Sequence, residues 1–220
     1  MNLTLKESLV TRSRVFSPWT AFYFLQSLLI NLGLGYPFSL LYTAAFTAIL
    51  LLLWRTLPGV QKVLVGVSSL VAACYFPFAQ AYGAPNFNTL LALHSTNMEE
   101  STEILTIFPW YSYLVGIFIF ALGVIAIRRK KESEKARWNT FDSLCLVFSV
   151  ATFFVAPVQN LAWGGVFKLK DTGYPVFRFA KDVIVNNNEV IEEQERMAKL
   201  SGMKDTWTVT AVKPKYQTYV

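Results

Sequence analysis

The sequence predicts an all-α integral membrane domain. Five transmembrane helices, N-terminus in and C-terminus out, lead into bridging helices and then the first strand of a further α/β domain. Three observations predict this. Hydrophobic residues make up 54% of the chain and aromatics 15%, while charged residues are only 15% and are clustered. Five apolar runs approach the length that a hydrocarbon core of ~30 Å demands, ~20 helical residues per crossing. The basic residues fall in alternate loops.

The expected spans are Trp19 to Leu34, Pro37 to Trp54, Val63 to Tyr82, Trp110 to Ile127 and Phe141 to Val158. Trp19, Trp54, Trp110, Trp138 and Trp163 sit at or near their ends, where indole rings favour the headgroup level. Pro77 lies late in the third run, and Pro157 is expected to end the fifth. Cys74 and Cys145 both fall inside spans and read as small buried residues. The first run is long, aromatic and followed by further spans, which distinguishes it from a cleavable signal.

Charge sets the expected orientation. Lys6, Arg12 and Arg14 precede the first span. Arg55 and Lys62 separate the second from the third. Arg128, Arg129, Lys130, Lys131, Lys135 and Arg137 separate the fourth from the fifth. The alternate loops, Gly35-Tyr36 and Gly83 to Phe108, hold no Lys or Arg. By the positive-inside rule the N-terminus is cytoplasmic, and an odd number of spans puts the tail outside. In a Gram-negative cell this is an inner-membrane protein with a periplasmic tail. The net charge of +6 is read as orientation of the spans, not as a nucleic-acid surface. No Asp, Glu, Lys or Arg sits mid-span, which counts against an ion-coupled transporter.

Two outer segments carry the candidate chemistry. In the Gly83 to Phe108 loop, Pro85 and Asn86 suit a helix start, and Asn88 is a possible cap. Leu90, Leu91 and Leu93 form an apolar stretch suited to the bundle. Thr96 and Glu100 are four apart and would share a helix face, with Glu103 one turn further. The bland reading is a solvated acidic loop; the functional reading is a ligand with a hydroxyl or phosphate and a nearby cation. His94 has no Cys or His companion for a metal site and reads as an interfacial polar residue within reach of substrate.

The tail is expected to divide into an amphipathic helix over Pro175 to Val185, a break at Asn186-Asn-Asn188, and a charged helix over Glu189 to Leu200. The first helix places Val176, Phe179, Ala180, Val183 and Ile184 on one stripe. From Trp207 the period becomes two, as in a strand. The expected division is thus 1–158 for the spans, 159–205 for the bridge and 206–220 for the start of a periplasmic domain. The final Tyr216-Gln-Thr-Tyr-Val220 has no turn or cap, so the chain reads as the front of a longer protein.

Five spans, the T-x-x-x-E element at Thr96 and Glu100, and a helical bridge leading to a strand resemble the membrane domain of bacterial phosphoethanolamine transferases. The likeness covers all 220 residues, including the opening MNLTLKESLVTRSR and the bridge DTGYPVFRFAKDVI. It is strongest to members acting on osmoregulated periplasmic glucan. The resemblance implies a downstream domain of the alkaline phosphatase and sulfatase type, with a zinc-bound Thr nucleophile. It implies transfer of phosphoethanolamine from phosphatidylethanolamine to a glucan or other glycan. It assigns headgroup contacts to Thr96 and Glu100; Asn97, Asn88 and His94, in the same loop, are further candidates for substrate contact. Ala92 stands where relatives carry an Asn, and Asn88 is its possible substitute. No catalytic or metal residue is expected within this chain, which by itself would be inactive. The alternative is a non-enzymatic inner-membrane protein serving lipid binding, assembly or transport.

Overall fold

The computed structural model describes residues 18–96, 103, 106–129, 140–165, 168 and 172–201. The described residues form seven long elements, all helical: α1 (Pro18–Gly33), α2 (Leu40–Thr56), α3 (Pro58–Tyr82), α4 (Phe87–Ser95), α5 (Trp110–Arg128), α6 (Thr140–Ala162) and α7 (Pro175–Ser201). The five apolar runs correspond to α1, α2, α3, α5 and α6. Three of these, α3, α5 and α6, are long and apolar enough to cross a membrane, and α2 is a shorter apolar helix. The strand expected from Trp207 lies outside the described residues.

Helix ends follow local chemistry. Gly35 adopts φ +80, a region open to Gly without steric cost. There the amide of Gly35 donates to Leu32 O and that of Tyr36 to Asn31 O. This Schellman closure satisfies the last carbonyls of α1. Gly164 repeats the device after α6: its own amide donates to Leu161 O, and that of Gly165 donates to Asn160 O. The loop expected around Arg55 to Lys62 is almost entirely helical. Pro58 occupies the first turn of α3, where its missing N–H costs nothing, so Leu57 alone separates α2 from α3. Pro157 lies inside α6 and does not end it.

α1, α2 and α3 form the centre, with α5 laid along α3 and α6 along α2. The α3–α5 contact is close because it is built from small residues. A Cβ added at Gly116 would lie 2.7 Å from Ala73 O, and one at Gly123 would lie 2.6 Å from Ser69 Cβ. Cys145 is buried as expected, but Cys74 is exposed on α3, so an apolar run did not imply a core position for both.

Polar side chains knit the centre. Gln26 Nε2 donates to Ser69 Oγ at 3.1 Å, and Asn31 Nδ2 donates to Thr43 Oγ1 at 3.0 Å. Thr47 donates to Ser27 Oγ at 3.2 Å, and Gln61 Nε2 to Tyr23 OH at 3.3 Å. Asp142 at the start of α6 pairs with Arg55 at the end of α2. Their side chains are 4% and 15% exposed respectively.

That burial generates a prediction. Asp142→Ala leaves the Arg55 guanidinium without this partner and should cost ~3–5 kcal/mol. Replacing both residues with Leu should cost far less. Thermal unfolding in detergent checks this; equal losses in the single and double variants would refute the role of the pair.

Candidate functional site

One end of the bundle is formed by the α1–α2 turn, the end of α3, α4 and α7. α4 begins where Asn86 Oδ1 accepts from the Thr89 amide at 3.0 Å, an N-cap of the ordinary kind. Asn86 is therefore the cap, and Asn88 is an exposed residue of the first turn. α4 has no buried residue. It packs against α7; Leu90 and Leu91 are half-buried and Leu93 is exposed, so the leucine stretch is covered only in part.

Thr96 closes α4 with an extended backbone, φ −79 and ψ 130. Its hydroxyl turns back to donate to Ala92 O. The helix thus stops before Thr96, and the four-residue spacing to Glu100 is not a spacing on one continuous helix. Asn97 and Glu100 lie outside the described residues. Glu103 is helical and exposed, and its carbonyl accepts from the Thr106 hydroxyl at 2.7 Å. His94 Nε2 meets Asn187 Oδ1 at 2.8 Å, which ties the last turn of α4 to the middle of α7.

α7 is a single 27-residue helix. The expected break at Asn186 to Asn188 is absent because two of these asparagines are used by tertiary contacts. Asn186 Nδ2 donates to Asp182 O at 2.6 Å and reaches Pro85 O at 3.5 Å, while Asn187 holds His94. Packing overrides the weak helix propensity of Asn. Of the expected stripe, Val176 and Phe179 pack against the core of the bundle. Asp182 faces inward, whereas Ala180 and Ile184 are exposed.

The inward attachment is polar and aromatic. Tyr36 OH donates to Asp182 Oδ2 at 2.8 Å. Arg178 Nε lies 3.6 Å from the same oxygen, and its guanidinium carbon lies 5.0 Å from the centre of the Tyr36 ring. Phe179 meets Tyr75 edge-on at 5.0 Å between centroids, and Tyr75 OH donates to Gly83 O at 2.9 Å. Just before α7, the buried Tyr174 donates to Ser149 O of α6 at 2.8 Å. Burial pushes its phenol up to about 12. Burial, then the hydrogen bond and charge of Asp182, raise the Tyr36 phenol well above its ordinary value.

Sequence reasoning missed Tyr36, Arg178 and Asp182 as a cluster. The Arg178–Asp182 spacing of four was a legible signal; the third partner, 146 residues from Asp182, was not. Chemically, this end of the bundle offers a half-exposed guanidinium beside a carboxylate, with His94, Asn88 and Thr96 displayed on α4. Among the described residues no group of three or more His, Cys, Asp or Glu is placed to hold a metal.

No protein-family model matches the chain, and no solved structure matches it. Over all 220 residues the chain is 99% identical to phosphoethanolamine transferase OpgE of Escherichia coli (strain K12). It spans 42% of that protein's length.

The Tyr36 contact has a pH signature. A phenol whose pKa is raised on folding supports the folded state fully below its unfolded value of 10.0. It loses that support as pH climbs through the raised value. The α7 attachment should therefore hold through neutral pH and weaken above about pH 10. Ultraviolet phenolate titration of wild type against Tyr36→Phe checks this; an ordinary titration for the difference phenol would contradict it.

Proposed function

We propose that this chain is the membrane domain of a phosphoethanolamine transferase. In this reading α1, α2, α3, α5 and α6 are five spans with the N-terminus in the cytoplasm of a bacterial inner membrane. The α4–α7 end then lies at the periplasmic face and presents phosphatidylethanolamine. The group moves to a periplasmic sugar acceptor, osmoregulated glucan, and the chemistry is supplied by a zinc domain following this chain. The 99% identity to a protein bearing that activity in its name carries the proposal.

The loop charge asymmetry supports the orientation, with Arg55, Lys62, Arg128 and Arg129 all at the opposite end. The headgroup of the donor lipid is a zwitterion. Thr96 and Glu100 receive it, with Glu100 facing the ammonium and Asn97, Asn88 and His94 in the surrounding shell. Arg178 is half exposed and has donors left for phosphodiester oxygens. α7 links the spans to the domain that follows them.

Two outcomes test the proposal. In the full-length protein, Glu100→Ala should lower phosphoethanolamine transfer to glucan by roughly tenfold or more at normal expression, the scale of a lost charge-assisted contact. Unchanged glucan modification by mass spectrometry would remove Glu100 from the site. The 220-residue chain expressed alone should transfer nothing; measurable transfer would place chemistry within these residues and overturn the division of labour.

A further inference from the structure

At the end of the bundle away from α4 and α7, Arg129 stands in an aromatic box. Its guanidinium carbon lies 3.6 Å from the centre of the Trp54 ring and 4.1 Å from that of Trp19. Tyr23 flanks it at 5.8 Å. Three elements supply the box: the first turn of α1, the last turns of α2, and the residue that ends α5. Stacking between two indoles holds the planar cation in one orientation.

The Tyr23 hydroxyl takes a hydrogen bond from the Arg129 guanidinium, but two donors of the box are left over. Arg129 Nη1 and Trp54 Nε1 are both buried and have no hydrogen-bond partner. Both are donors only. Native structures rarely leave two such donors unmatched side by side. The acceptor they lack is an oxygen, and the surroundings favour one carrying negative charge. Lys62 and Arg128 are exposed at this end. The carboxylate of Asp142 is engaged by Arg55. The neighbouring Gln61 donates its amide nitrogen to Tyr23, and its amide oxygen, buried and itself unpartnered, does not reach either donor.

Depth narrows the chemistry further. Trp19 begins one apolar helix and Trp54 nearly ends another. Indoles at such positions sit among lipid headgroups, where the abundant anionic oxygens are those of phosphates. We propose that Arg129 and Trp54 form a binding site for a phosphate group, with the guanidinium and indole N–H donating to its oxygens. A phospholipid of the adjacent leaflet and free inorganic phosphate share this chemistry. The site is separate from the α4–α7 end and does not depend on the transferase reading.

Native mass spectrometry of the full chain in detergent tests the site through three ligands: phosphatidylglycerol, diacylglycerol and inorganic phosphate. Phosphatidylglycerol should be retained and diacylglycerol, which lacks the phosphate, should not. Displacement of the lipid by millimolar inorganic phosphate would identify a free anion as an equal occupant and still support the site. Trp54→Phe keeps a ring under the guanidinium but removes the N–H, and Arg129→Lys keeps the charge but removes the planar fork. Each should weaken retention roughly tenfold. Circular dichroism and monodisperse elution confirm that each variant is folded, and either one folded suffices. Wild-type retention in the folded variants, or diacylglycerol held as well as phosphatidylglycerol, would overturn the proposal and leave water as the partner of both donors.

Discussion

The bundle depends on a demand set by α1. This helix buries Gln26, Ser27 and Asn31 completely or nearly so, and a buried polar group without a partner is costly. Each amide nitrogen or hydroxyl finds its partner on a neighbouring helix: Gln26 Nε2 on Ser69 of α3, Ser27 Oγ on Thr47 of α2, Asn31 Nδ2 on Thr43 of α2, while the amide oxygens of Gln26 and Asn31 stay buried without a partner. Apolar packing between such helices is tolerant of sliding, since lipid chains are as apolar as Leu. Hydrogen bonds are not tolerant of it. The three contacts therefore fix rotation and register where hydrophobicity alone would leave both loose.

α7 is attached by the same logic. Its contacts with the bundle centre on Asp182, Asn186 and Asn187 together with Phe179 and the preceding Tyr174. Asp182 and Asn186 turn inward beside Val176, Phe179 and the fully buried Val190, and Phe177, Ile184 and Ile191, spaced seven apart, turn outward. An outward apolar row on an otherwise charged helix suits a surface that is itself apolar beneath a polar layer. The helix is thereby held from one side by hydrogen bonds and apolar contacts together, and a second apolar row is left on its outer side.

The helical runs were legible because lipid and bundle core impose one long-wavelength signal, sustained apolarity, that survives without knowledge of partners. Their ends were legible only where local chemistry dominated, as at Trp110 and the Gly35 turn. Pro157 and Asn186 to Asn188 misled for one reason. Each is a helix breaker by propensity, yet tertiary contacts or the surrounding helix outweigh a cost of a few kcal/mol. Cys74 misled because an apolar span has an outer face as well as an inner one. The candidate site was legible only in part. Asn86, His94 and Thr96 could be placed on one short segment, but Tyr36 is joined to Asp182 across most of the chain, and no local pattern encodes that pairing. The T-x-x-x-E spacing suggested a shared helical face that the extended backbone at Thr96 does not provide.

The continuity of α7 has a mechanical consequence. From Asn187, held by His94, to Ser201 the helix extends about 21 Å at 1.5 Å per residue. A break at the asparagines would have made the two halves swivel independently. Without one, the helix is a stiff lever with its fulcrum at the His94–Asn187 contact. A tilt of about 10° at that fulcrum carries the far end through roughly 4 Å, so a small rearrangement of one histidine and one asparagine becomes a displacement of about two-thirds of a helical turn.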